Sequence, residues 1–137
     1  MNIDNNRRQH KELRLLIAAI GDLLETQQWE VRASELSSKV DTLAGRIKIH
    51  LVAEERFVYP RLAESDQEDI RGMASSFQAE MGVLGGEIAA YREQYDTAGK
   101  ILEDPQRFAR ETLRMIGVLS HRLDQEDDLL YPLAQQM

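Results

Sequence analysis

Apolar residues recur along this chain at spacings of three and four, the repeat of a helix that buries one face. In the first segment Leu13, Ile17, Ile20 and Leu24 mark such a face, which extends backwards through His10 to Ile3. Asp4-Asn5-Asn6 offers capping side chains, so the pattern predicts a helix over residues 5–28. Trp29 to Ala33 reads as a short connection, with Ser34 capping a second helix over 34–63. Its stripe is Leu36, Val40, Leu43, Ile47, His50, Glu54 and then Phe57 or Val58, and two of those positions are polar. Pro60, which lacks an N–H, is expected to kink or end this helix.

Glu64-Ser65-Asp66 marks the next turn. A third helix is predicted over 66–98, with Ile70, Met73, Phe77, Met81, Leu84, Ile88, Tyr91 and Tyr95 on one face. Gly82, Gly85 and Gly86 interrupt it. A mid-helix glycine costs about 0.5–1 kcal/mol relative to alanine, and tight helix–helix packing is the expected reason for tolerating it. Gly99 suits the position just past a helix end, and Asp104-Pro105 supplies a cap followed by a first-turn proline. The fourth helix is then predicted over 105–136, with Phe108, Thr112, Met115 or Ile116, Leu119, Leu123, Glu126 and Leu130 inside. Four such helices with short links predict an all-α fold: an up-down-up-down antiparallel four-helix bundle, with residues 1–137 forming a single domain.

Composition narrows the chemistry. A chain of 137 residues, 42% hydrophobic, supports one domain with a core of its own. There is no cysteine, which excludes disulfides, thiolate metal sites and a cysteine nucleophile. Nitrogen and oxygen remain as donors, and imidazole chemistry is restricted to His10, His50 and His121. Seventeen basic against 24 acidic residues give a formal charge of -7, which repels phosphate backbones, so no nucleic-acid partner is expected. No apolar run approaches the roughly 18 residues of a membrane span. Met1 to Lys11 is polar with no apolar signal core, and the cytoplasm is the expected compartment.

The polar positions inside the stripes form an internal echo. Residues 50–60 and 121–132 each contain a histidine, an acidic pair and Tyr-Pro. Aligned on Tyr-Pro, Glu54 matches Glu126 and Glu55 matches Asp127, but His50 precedes its glutamate by four residues and His121 by five. Residues four apart share a helix face, so His50 and Glu54 point inward together. An ionised carboxylate in a core is expensive unless it is paired or bound to a metal. Without a cation, Glu54 and Glu126 would be driven towards protonation. Positions five apart are about 140° apart on a regular helix. His121 and Glu126 therefore share the core only if a wide π turn lies between residues 121 and 126, and such a bulge is expected there. Glu55, Asp127 and Asp128 read as solvated charges, and Tyr59 and Tyr131 as residues closing the bundle end.

His10 in the first helix, His50-x-x-x-Glu54 in the second, His121-x-x-x-x-Glu126 in the fourth and the two Glu/Asp–Tyr-Pro tails together resemble the hemerythrin-like, or HHE cation-binding, family over nearly the whole chain. The resemblance implies a four-helix bundle holding non-haem iron, one or two ions. It also implies metal ligands His10, His50, Glu54, His121 and Glu126: the first two on one iron, the carboxylates bridging, and His121 on a second iron. The family's His-x-x-x-His pair on the third helix is replaced here by Phe77 and Met81, poor ligands for a hard ion. A single-ion site, or an asymmetric pair completed by water or Glu80, follows from that departure. The resemblance implies a protein that binds or senses iron, O2 or NO, with a small diatomic ligand as partner and a homodimer left open. An iron oxidoreductase acting on peroxide, NO or ferrous iron is the enzymatic alternative. A metal-free bundle acting through an interaction surface is the third.

Overall fold

A computed structural model describes residues 1–137, and every regular element in it is helical. Four long helices dominate: α1 (Asp4–Thr26), α2 (Trp29–Phe57), α4 (Glu68–Tyr95) and α6 (Pro105–Gln125). Two short helices, α3 (Tyr59–Ala63) and α5 (Ala98–Glu103), lie between them. After α6 the chain passes through a π turn (Glu126–Leu130) into a last short helix, α7 (Tyr131–Gln135).

The punctuation explains most of these limits. Asp104 accepts a hydrogen bond from the N–H of Arg107 ahead of Pro105, as expected. The break between α2 and α3 falls at Val58, two residues before Pro60. Three boundaries differ from the sequence expectation. The stretch 29–33 is helical, because α2 begins at Trp29 and Ser34 lies inside it. Gly99 does not end the third long helix; that helix ends at Tyr95, and Thr97 caps α5 by accepting from the N–H of Lys100. At the N-terminus Ile3, not residues 4–6, holds the cap position without a side-chain cap, and Asn2 accepts from the N–H of Asp4 at 2.8 Å.

The predicted stripes form the core. Leu13, Ile20, Leu36, Ile47, Leu119 and Leu123 are among its most buried members, while Phe57 is exposed and Val58 takes the inward place. Of the three mid-helix glycines only Gly85 meets a neighbour: a Cβ there would stand 2.9 Å from Leu51 Cδ1 on α2. The core has two parts. The larger contains Leu13, Ile47, Met81 and Leu123, and the smaller contains Ile3, Val58, Phe77 and Leu130. α4 has residues in both parts, and the chain at the start of α1, the end of α2 and the π turn after α6 passes between them through buried polar residues. No helix is long and apolar enough to cross a membrane.

Candidate metal centre

Between the two apolar parts, α1 contributes His10, α2 contributes His50 and Glu54, and the π turn contributes Glu126. All four are 0–2% exposed. Each offers one donor atom to a common point, and these atoms lie within 4.8 Å of one another. His10 Nε2 is 2.9 Å from Glu126 Oε1 and 3.1 Å from His50 Nε2. His50 Nε2 is 3.2 Å from Glu126 Oε1 and 3.3 Å from Glu54 Oε1.

The outward nitrogens of both rings are committed. His10 Nδ1 stands 2.9 Å from Asp127 Oδ1, and His50 Nδ1 stands 2.7 Å from Gln9 Oε1. A carboxylate oxygen and an amide oxygen accept, so each Nδ1 donates and each Nε2 lone pair is directed to the centre. Asp127 is itself held by Arg14, 2.8 Å away, with Arg7 at 3.6 Å. It is therefore the partner of His10 and not the solvated charge expected from sequence. A cleft of about 400 Å³ lined by Arg7, Lys11, Arg14, Leu15 and Asp127 leads to the His10 ring.

Acceptors crowd this centre. Glu54 Oε1 and Glu126 Oε2 are buried with no hydrogen-bond partner. Such a set is stable only with positive charge among the donors, supplied by protons or by a cation. In the metal-free protein the protons gather there. Burial works against charge on His50, but its hydrogen bond to Glu126 and the nearby Glu54 carboxylate prevail and push it up to about 10. Burial, reinforced by the Glu126 charge, pushes Glu54 up to about 8. Burial opposes ionisation of Glu126 too, yet its bonds with His10 and His50 hold it below the usual carboxylate range. The donor set, two imidazole nitrogens and two carboxylates, suits a divalent transition-metal ion.

Tyr131 stands inside this cluster and does not close the bundle end. Its hydroxyl donates to Glu54 Oε2 at 2.8 Å and lies 2.9 Å from His10 Nε2. Burial and the neighbouring Glu126 and Glu54 push its pKa far up. Tyr59, at the equivalent place after Glu54, is also buried, and its hydroxyl has no partner.

His121 does not join the site. The expected π turn exists but spans Glu126–Leu130, after the glutamate and not before it. With α6 regular through Gln125, His121 and Glu126 stay about 140° apart, and the histidine is exposed. Glu80 does not complete a second site either; it is exposed and ion-paired with Arg122. Phe77 and Met81 are buried in the smaller and the larger core part, and neither side chain is a metal donor.

The family model of the hemerythrin HHE cation binding domain matches residues 1–134. No curated protein and no solved structure matches the chain significantly.

Proposed function

The chain belongs to the hemerythrin HHE cation binding domain family, and on that premise we propose that it is a non-haem iron protein. His10, His50, Glu54 and Glu126 hold one iron ion, through which the protein binds or senses O2 or NO. The observation that carries this reading is the convergence of four buried donors with carboxylate oxygens left unpartnered. An up-down-up-down order, supported by the short links between the long helices, runs α2 and α6 in the same direction. Glu54 and Glu126 then meet at one depth.

Ferrous iron would supply reducing electrons and open coordination positions for a diatomic ligand. The chain's own groups do the rest. Asp127 and Gln9 hold the two imidazoles in the tautomer that offers Nε2. The two carboxylates balance the ion's charge. Phe77 and Met81, both buried, supply no ligand for a second ion. The exposure of His121 and these two apolar side chains favour one ion over two.

The test is an anaerobic titration of the ferrous protein with NO, followed optically, and a parallel exposure to O2. A saturable spectral change with NO, absent in Glu54→Ala, is expected. Ferrous protein whose spectrum responds to neither gas contradicts the reading.

A further inference from the structure

We propose that Tyr131 is a fifth protein ligand, its phenolate oxygen binding the ferric state of the iron centre. The proposal deepens the reading above and rests on its single iron ion.

The distances come first. Donors about 2.1 Å from one ion and at right angles to each other stand about 3.0 Å apart. Tyr131 Oη lies 2.8 Å from Glu54 Oε2, 2.9 Å from His10 Nε2 and 3.5 Å from His50 Nε2. Those separations match the spacing between the agreed donors, 2.9 Å for His10 with Glu126 and 3.1 Å for the two imidazoles. The phenol oxygen thus occupies a donor's place and not a support's place behind one.

The backbone argument is independent. On a regular helix Tyr131, five residues after Glu126, would point elsewhere. The π turn closes with the N–H of Tyr131 on the carbonyl of Glu126, and both side chains consequently face the same point. The wide turn therefore serves the tyrosine, since Glu126 is already inward at the end of α6. The ring is fixed against His10, with centroids 5.0 Å apart, and Arg7 lies over it, 5.6 Å from its centroid.

Charge is the third argument. Two carboxylates leave a ferric ion with one unbalanced positive charge among buried side chains. One phenolate makes the set neutral. On ferric binding the phenol O–H bond breaks, its electron pair goes to the metal and the proton leaves to solvent. With ferrous iron the two carboxylates already balance the charge, and the phenol keeps its proton and its bond to Glu54.

The experiment loads wild-type protein anaerobically with ferrous iron, then oxidises it with ferricyanide, which accepts the one electron. The ferric protein is expected to gain a visible phenolate-to-iron charge-transfer band with tyrosinate modes in resonance Raman. Those modes should shift when ring-deuterated tyrosine is incorporated, a readout that needs no variant. Tyr131→Phe is expected to keep its iron and lose both band and modes, while Tyr59→Phe keeps them. A ferric wild type without tyrosinate modes overturns the proposal, as does a band that survives in Tyr131→Phe or disappears only in Tyr59→Phe. Wild-type protein that takes up no iron by elemental analysis overturns the underlying reading itself, and the two failures are thereby distinguished.

Discussion

The N–H of Tyr131 donates to the carbonyl of Glu126, five residues back, and this wide turn places a phenol and a carboxylate in one buried centre. Pro132 follows at once. It has no N–H to give to the carbonyl of Asp128, and its ring presses on that carbonyl. The helix is thus already weakened where it widens. The first half of the echo shows a related break: Glu54 and Tyr59 are five apart, both are buried, and α2 gives way at Val58 ahead of Pro60.

Asp127 fixes His10 through its Nδ1, so its removal should be felt at the metal. Asp127→Asn is expected to weaken metal affinity about 10–100-fold while leaving the saturating ratio unchanged. Asp128→Asn, at an exposed position, should do nothing. Competition with a chelator of known affinity measures both, and equal affinities for Asp127→Asn and wild type contradict the assignment.

The ligand set was legible in the sequence only where helical period and chemistry agreed. His10, His50, Glu54 and Glu126 continue apolar stripes at spacings of three and four, so their burial follows from the period alone. His121 falls outside the site because the five residues from it to Glu126 lie on regular helix. The five-residue spacing that mattered runs forwards, from each glutamate to its tyrosine. Composition carries no signal for which side of Glu126 the wide turn takes, and a proline acts on the turn that precedes it. Asp127 was likewise hidden. As one of two adjacent acids it looks solvated, and only the approach of α1 gives it His10 and Arg14 as partners.

Protons and metal should compete. His50, raised to about 10, and Glu54, raised to about 8, both hold protons in the metal-free protein at neutral pH. Binding displaces those protons, so ferrous affinity rises with pH. The expected slope is between about one and two log units per pH unit near neutrality, and it becomes shallower above about pH 8, where Glu54 has already lost its proton. Affinities at pH 6, 7, 8 and 9 check this, and a pH-independent affinity contradicts it.

The same buried charge predicts a reversal in stability. Glu54 has a folded value above its unfolded one, so its ionisation opposes folding increasingly as pH rises from the ordinary carboxylate range towards about 8. Metal-free Glu54→Gln should therefore melt at or above wild type at pH 7. With metal at a hundredfold excess over Kd, wild type gains about 2.7 kcal/mol, roughly 6–10 °C at this chain length, and Glu54→Gln gains far less. Melting curves with iron and with chelator test the crossing.

Three glycine exchanges test the backbone. Gln27 ends α1 at φ 53°, a conformation that favours glycine. Gly86 lies inside α4, exposed, with nothing near a Cβ. Gln27→Gly and Gly86→Ala should each stabilise by about 0.5–1 kcal/mol. Gly85→Ala should gain less, because its Cβ would displace Leu51. Denaturant midpoints decide.

The central claim is that four buried side chains hold one ion, and the metal-to-chain ratio measures it most directly. After iron loading and removal of loose metal, wild type and His121→Ala should each carry about one ion per chain, while His50→Ala and Glu126→Ala should fall close to zero. A wild-type ratio under about 0.2, a ratio near two, or a loss in His121→Ala equal to that in His50→Ala would contradict the account.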